Sequence, residues 1–242
     1  GQGAWHLAVE LSAGTLQNAA ATLPWSMTEE EKVFMNGYQT WTECPELGKW
    51  DRQRGTDQIP RFLREKYAFD RYGDYHFVRY GKKKGQSHGF SYCYFRRGEH
   101  YRLAASLNET PGYTVFYYDA KAQTLHIERD CAGVHHEGGK FAAFDLFFAE
   151  GSEDEVFDAW FAALGCQARQ TKKLAGYSSW YNRYQNIDES SILEDLHGCK
   201  TLFRQGDLFQ IDDGWEPKVG DWLKADPAKF PQGLRPIADA AH

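Results

Sequence analysis

Two adjacent carboxylates near three tryptophans are the residues of this chain that most clearly suggest chemistry. Asp212 and Asp213 follow a short apolar run. The neighbouring polar segments contain Trp180, Trp215 and Trp222. Ionised carboxylates accept hydrogen bonds strongly from hydroxyl groups, and an indole ring packs well on the apolar face of a sugar. The set therefore predicts a carbohydrate ligand; the alternative is that Trp180 and Trp215 are core residues and Asp213 caps a turn.

The segment that contains these residues, 174–242, alternates strand and helix patterns. A strand is predicted at 175–179 and a helix at 189–204, for which Asp188 is placed as the N-cap. A second strand is predicted at 208–211, and a further helical pattern follows it. This alternation is typical of βα units that build a parallel sheet.

A parallel sheet would bring the polar residues to one edge, because ligands bind at the carboxyl ends of its strands. The first strand leads into Trp180, and the second leads into Asp212 and Asp213. Neighbouring side chains at a strand end diverge, whereas the two catalytic carboxylates of a glycosidase flank the bond that they cleave. We therefore expect Asp212 and Asp213 to bind hydroxyl groups and not to act as the catalytic pair.

The first 150 residues predict an antiparallel β-sandwich. Short runs rich in β-branched and aromatic residues recur between turn-forming residues, and several alternate apolar with polar positions. The clearest predicted strands are 5–11, 75–80, 90–95, 113–118, 125–129 and 141–148.

A change of period at Ser152 marks the end of this strand-rich region. Ser152 and Glu155 form a capping box, and an apolar helical stripe follows as far as Gly165. The segment 166–173 is polar and is expected to connect two architectures. The predicted domains are a β-sandwich (1–150), a linker helix with its connector (151–173) and the start of an α/β domain (174–242).

Composition disfavours several classes of partner. Lys and Arg number 28 against 34 Asp and Glu, so the net charge of −6 gives a nucleic-acid backbone little to bind. No run approaches the roughly 18 apolar residues of a membrane helix. The five cysteines are an odd number without a CxxC pair, which suits neither a disulfide framework nor a structural zinc site and favours a reducing cytoplasm. No metal and no cofactor are expected. Exposed edges of parallel strands would allow a homo-oligomer.

Four spaced segments carry a resemblance to a known family. They are GYSSWYNRY (176–184), FQIDDGW (209–215), VGDWL (219–223) and KFPQGLRPIA (229–238). Together they resemble the opening of the catalytic barrel of glycoside hydrolase family 36, the α-galactosidase and raffinose-synthase group. Upstream, FMNGYQTWTE (34–43) and SLNE (106–109) resemble the family's N-terminal β-sandwich. The resemblance implies a β-sandwich followed by the first two βα units of a (β/α)8 TIM barrel, which is incomplete in this chain because a barrel needs about 250 residues.

The resemblance also implies roles for particular residues. Asp212 and Asp213 would bind the galactose 4- and 6-hydroxyls. Trp180 would line the same subsite, and Trp222 would flank the sugar. The family works by retaining double displacement, and its nucleophile and acid/base follow the fourth and sixth barrel strands, positions without a counterpart in this sequence. We therefore expect a catalytic pair downstream of His242 and no turnover by this chain alone.

Other functions remain open from the residues. A non-catalytic carbohydrate-binding or scaffold module that ends at His242, or a galactosyltransferase of the same family, would share the binding residues. A serine hydrolase is disfavoured because Trp180 stands where a nucleophile elbow needs glycine. Dinucleotide-binding and P-loop proteins are disfavoured because the sequence has neither GxGxxG nor GxxxxGK(S/T). Cys131, His135 and His136 could form a metal cluster, but such a Gly-rich polar stretch is more often an exposed turn.

Overall fold

The chain forms two compact units, Gly1–Gln167 and Ala168–His242. The computed structural model describes residues 1–38, 42–54, 59–67, 83–110, 112–167 and 173–242. The predicted strand at 75–80 lies outside the described residues. No helix within the described ranges is long and apolar enough to span a bilayer.

The first unit is built mainly from two antiparallel sheets. Its strands are β1 (Gln2–Leu11), β2 (Gly14–Pro24), β3 (Lys32–Met35), β4 (Leu47–Gly48), β5 (Gln86–Phe90), β6 (Tyr92–Arg97), β7 (His100–Ser106), β8 (Tyr113–Asp119), β9 (Thr124–His136) and β10 (Gly139–Gly151). Its helices are α1 (Arg61–Tyr67) and α2 (Glu153–Ala163). One sheet has the order β1-β10-β7-β6-β3-β4, and the other has the order β2-β9-β8-β5.

The two sheets share one hydrophobic core. Along β9 the buried positions alternate with partly exposed ones, as a strand with one covered face requires. Phe95 and Leu146 of the six-stranded sheet belong to the same buried cluster as Phe116 and Ile127 of the four-stranded sheet. The prediction of antiparallel β-structure in this region is confirmed.

One predicted strand is wrong in detail, because 90–95 belongs to two strands in different sheets. β5 ends at Phe90, and β6 begins at Tyr92. Between them Ser91 has a φ of 64°, in the left-handed region that interrupts a strand. Its amide donates to the carbonyl of Thr114, and its own carbonyl accepts from Ser106. Ser91 is therefore the point where the chain crosses from one sheet to the other, and the aromatic residues on both sides of it make the two strands look like one.

The helix after Ser152 packs on the first unit. The predicted capping box is present, since Ser152 accepts from the Glu155 amide and Glu155 accepts from the Ser152 amide. Trp160 is buried, and its indole N–H donates to the carbonyl of Ser106 at 3.0 Å. The sequence analysis assigned this helix to the linker, whereas the compact unit extends to Gln167 and includes it.

The second unit contains two parallel strands and three helices among its described residues. They are β11 (Gly176–Ser178), α3 (Trp180–Arg183), α4 (Glu189–Leu202), β12 (Leu208–Gln210) and α5 (Arg235–Ala241). The parallel pairing of the two strands confirms that prediction.

The core of this unit forms where α4 and α5 pack together. Asp188 caps α4 through a capping box with Ser191, as the sequence predicted for Asp188. Ile187 and Ile192, on either side of this cap, are buried in one cluster with Phe230. The two helices and the segment that follows β12 therefore share one apolar core.

Candidate functional site

The junction between β11 and β12 brings two loop segments together. A Cβ on Gly176 would lie 2.5 Å from the carbonyl oxygen of Leu208, so the two strands approach as closely as only glycine allows. Ser179 follows β11 and is fully buried. Its hydroxyl accepts from the Asp212 amide at 2.9 Å, and its own amide donates to the Gln210 carbonyl at 3.1 Å. The sequence after β12 is therefore tied to the sequence after β11.

Both carboxylate oxygens of Asp212 accept hydrogen bonds from neighbouring groups. Its Oδ2 accepts from Gln210 Nε2 at 3.1 Å and from the Ser178 hydroxyl at 3.4 Å. Its Oδ1 accepts from the amide of Asp213 at 2.8 Å. These bonds fix the orientation of the side chain at the strand ends and shape the turn that begins at Asp213.

Asp213 contrasts with its neighbour, because its carboxylate makes no hydrogen bond or ion pair within the residues that the structure describes. Partial burial raises the pKa of Asp213 above its ordinary value, and the negative charges of Glu216 and Asp212 raise it further. The charged form is thus less stabilised than it would be in open solvent. The Asp213 carboxylate is therefore an acceptor without a protein donor among the described residues, on a backbone that the turn holds in place.

The turn after Asp213 is held by contacts that only particular residues can make. Gly214 has a φ of 104°, and a Cβ there would lie 2.6 Å from the carbonyl oxygen of Gln185. Lys229 Nζ donates to the carbonyls of Gly214 at 2.8 Å and of Gln185 at 3.1 Å. The buried side chain of Glu216 accepts from the Gly214 amide at 3.0 Å. Together these groups fix the position of the Asp213 backbone.

The tryptophans lie in two places: Trp180 begins α3, and Trp215 and Trp222 lie in the segment between β12 and α5. The rings of Trp215 and Trp222 are 6.3 Å apart, and Trp222 keeps 51% of its surface exposed. Trp215 packs on the apolar core of the unit, which is the core role that the alternative interpretation gave it. Trp180 begins α3, directly after the serine that binds the Asp212 amide, and its ring packs edge-on against Tyr184 at 5.4 Å.

The short helix that begins at Trp180 is anchored by an ion pair. Arg183 Nε and Nη2 donate to the two carboxylate oxygens of Asp195 on α4, at 2.6 and 2.7 Å. Tyr177 of β11 donates to the same carboxylate. The Arg183 guanidinium holds the pKa of Asp195 below its ordinary value, and desolvation together with the Asp195 bond raises the pKa of Tyr177 to about 12.

The structure brings together some of the predicted site residues and adds others. Asp212 and Asp213 are consecutive at the junction of the two strands, and Trp222 is grouped with Trp215. Glu216 and Lys229, which the sequence analysis did not select, support the turn. The sequence around Glu216 does not signal its burial, because the group that it binds is the backbone amide of Gly214 and not a side chain.

The alternative metal cluster has no support in the geometry. Cys131 is buried in the core of the first unit, and His135 pairs with Glu137 at 3.3 Å. In the described part of the chain, no group of three or more His, Cys, Asp or Glu side chains is placed to hold a metal ion.

Comparison with known proteins leaves the geometry as the main guide to function. No protein-family model matches the chain, and no curated protein matches it significantly.

Proposed function

We propose that the second unit binds the terminal sugar of an α-galactoside and is the front part of the (β/α)8 barrel of a retaining glycoside hydrolase. The observation that carries the proposal is the Asp213 carboxylate, which lies at the end of a parallel strand pair without a hydrogen-bond donor among the described residues. A partly desolvated acceptor gains free energy when a ligand supplies its donor. Sugar hydroxyls are donors of this kind.

The surroundings of Asp213 suit the same ligand. Asp212 holds the turn in register, and its bonds to Gln210 and Ser178 preorganise the site. The half-exposed ring of Trp222 offers an apolar surface for the carbon face of a sugar. The choice of galactose rests on the resemblance of four segments of the sequence to family 36.

The barrel part of the proposal is supported by what the two strands leave uncovered. Among the described residues, β11 and β12 pair only with each other, and Leu208 on β12 is half exposed. Parallel sheets are normally covered on both faces and continued at their edges. Further strands of a barrel would supply that cover, and the nucleophile and acid/base would come from their ends.

In this proposal the residues of the chain bind and orient the sugar and do not break its glycosidic bond. A retaining reaction needs two carboxyl groups about 5 to 5.5 Å apart on opposite sides of the bond. Asp212 already accepts from its own neighbour's amide, so it is not positioned as a free nucleophile. The free cysteines among the described residues support the cytoplasmic location expected from the sequence.

The test is Asp213→Ala in the full protein encoded by the natural gene. We expect kcat/KM for p-nitrophenyl α-galactoside to fall about 10- to 100-fold, because a charged hydrogen-bond acceptor for the sugar is lost. The matched control is Asp239→Ala, whose carboxylate lies on the exposed surface of α5. Both variants should melt as the parent does, and unchanged kinetics for Asp213→Ala would remove its binding role.

Three results would redirect the proposal. Release of galactose from raffinose by the purified 242-residue chain would contradict the assignment of the catalytic pair to other strands. Binding of galactose without turnover by the full protein would favour the non-catalytic module. Transfer of galactose to a sugar in preference to water would identify the galactosyltransferase, because the two reactions differ only in the acceptor.

A further inference from the structure

The outward face of the four-stranded sheet carries a groove that the proposed galactose site does not use. A cavity of about 190 Å³ crosses all four strands of this sheet. A second cavity of about 230 Å³ adjoins it and shares Tyr117 as a lining residue. The two extend along β8 from Tyr113 to Asp119, a distance of about 20 Å at the usual rise per residue. The groove is therefore long enough for an extended ligand.

One wall of the groove is aromatic. Phe90 and Val115 form a small buried cluster with Tyr117 packed against it. Tyr113 stands beside them with 43% of its surface exposed. Tyr38 packs edge-on against Phe90 and Tyr113, so the chain itself covers Phe90, and the aromatic surface open to a ligand is that of Tyr113 and Tyr117. The main core of this unit lies on the opposite face, where Phe116 and Ile127 point.

The other wall is polar, and a β-bulge places its outermost residues. The pairing of β2 with β9 is interrupted between Leu16 and Asn18, where Gln17 of β2 lies opposite three residues of β9, 131–133, so the extra residues of the bulge belong to β9. Gln17 and Asn18 both line the cavity, and neither amide side chain has a hydrogen-bond partner among the described residues. Bulges of this kind re-aim side chains and are frequent beside binding sites. Two amide groups, each with donors and an acceptor, thus face the aromatic wall.

The acids in the groove are oriented by their neighbours. Glu128 bonds His126 Nε2 at 3.0 Å. Asp130 accepts from the Ala132 amide at 2.9 Å, and on β9 it pairs directly with Asn18 of β2. These carboxylates disfavour anionic ligands such as phosphates. The amides of Gln17 and Asn18 are exposed to water, and neutral amides exchange water for sugar hydroxyls more readily than for a cation.

We propose that this groove is a second carbohydrate-binding site, which takes a neutral oligosaccharide. The exposed parts of Tyr113 and Tyr117 would pack on the carbon faces of the sugar rings. Gln17, Asn18 and Asp130 would bond the sugar hydroxyls. The site belongs to the first unit and does not depend on the galactose site. Its role would be to hold a longer saccharide chain to the protein.

The experiment uses the 242-residue chain carrying Asp213→Ala, which weakens the proposed galactose site, and the residues whose amides shift show at which site the remaining binding occurs. Raffinose, maltotriose and choline chloride are titrated separately to about 50 mM, a range that detects weak ligands. Binding is followed by calorimetry and by amide chemical-shift mapping. We expect at least one trisaccharide to bind and to shift the amides of β2, β8 and β9.

Two variants in the same background locate the site. The double variant Gln17→Ala with Asn18→Ala should weaken trisaccharide binding at least about tenfold, because two hydroxyl partners are lost. Gln2→Ala is the matched control, since Gln2 lies on β1 of the other sheet. Melting followed by circular dichroism checks that each variant is folded.

Three results would overturn this second site. They are choline binding without saccharide binding, no amide shift in the groove with either trisaccharide, and unchanged affinity in the folded double variant. The two sites can fail independently. If Asp213→Ala binds galactose less tightly than the parent chain but still binds a trisaccharide, both sites are supported. If galactose binding does not change, only the galactose site is rejected; if no trisaccharide binds in the groove, only the second site is rejected.

Discussion

The two units of this protein differ in how their strands are stabilised. In the first unit, sixteen described side chains from both sheets form one buried cluster, and fully covered residues such as Phe95 and Phe116 lie at its centre. In the second unit, the main cluster has five buried side chains, and Leu208 on β12 and Leu174 before β11 are about half exposed. In the second unit, hydrogen bonds of Ser179 to Asp212 and Gln210 hold the two strand ends together where apolar burial is small. The difference suggests that the first unit completes its own core and that the second is shaped around its strand ends.

The largest expected effect tests the closed core of the first unit. Phe95 is fully buried, with its ring 4.9 Å from Tyr118 and 5.4 Å from Trp25. Phe95→Ala should lower the free energy of unfolding of this unit by about 3–5 kcal/mol, because it leaves a cavity between the sheets. Hydrogen exchange of the β8 and β9 amides measures the change.

The control for this substitution is Phe161→Ala on α2. Phe161 stacks on Trp160 but keeps 45% of its surface exposed, so its truncation should cost about 1 kcal/mol. Equal costs for the two phenylalanines would mean that the sheets do not enclose a tight core, and the contrast between the units would fail.

Sequence reasoning succeeded where a local rule decides the structure. The caps at Ser152 and Asp188 depend on residues three positions apart, and both helices begin as predicted. The parallel strands follow from the alternation of patterns. Sequence reasoning failed at Ser91, because the break between the two strands depends on one backbone angle within an aromatic-rich segment. It also failed at β2, whose alanines give little strand signal and whose pairing with β9 is a long-range fact.

The candidate site shows the same limit. The sequence identifies Asp212 and Asp213 as unusual, but it cannot say that one carboxylate is occupied and the other is without a protein donor. That distinction depends on Ser178 and Gln210, which belong to neighbouring strands and reach Asp212 only after the chain folds. Glu216 was missed for another reason, because its partner is the backbone amide of Gly214, which no residue type in the sequence announces.

A second prediction tests whether close backbone packing holds the strand-end turn. Gly214 and Gly220 have nearly the same φ, 104° and 103°. A Cβ at Gly214 would meet the Gln185 backbone, whereas a Cβ at Gly220 would meet nothing within 4 Å. Gly220→Ala should therefore cost only the backbone strain, about 1–3 kcal/mol. Gly214→Ala should cost clearly more and should displace Asp213.

The readout for this pair is thermal melting of the second unit together with hydrogen exchange at Ile187 and Ile192. Similar losses in the two alanine variants would show that the turn can move away from Gln185, and the site would then be less rigid than the junction implies.

The smallest expected effect compares two acids whose pKa values shift in opposite directions. The pKa of Asp195 is lowered by its bonds from Arg183, so this carboxylate stabilises the fold above its unfolded pKa and loses that contribution as pH falls through the folded value. The pKa of Asp213 is raised by burial and by Glu216 and Asp212. Its contribution is therefore fully present below its unfolded pKa and is lost as pH rises through the folded value.

Asp213→Asn should consequently stabilise the second unit at pH 7, by about 0.5 kcal/mol or less, because the amide is neutral at every pH. The advantage over the parent should vanish near about pH 3, where Asp213 itself is protonated. Asp195→Asn is the matched control and should instead destabilise the unit at pH 7, since it removes the partner of Arg183. Melting temperatures of the three proteins at both pH values measure these differences. A less stable Asp213→Asn at pH 7 would mean that the Asp213 charge already has a favourable partner, which would remove the free acceptor from which sugar binding is inferred.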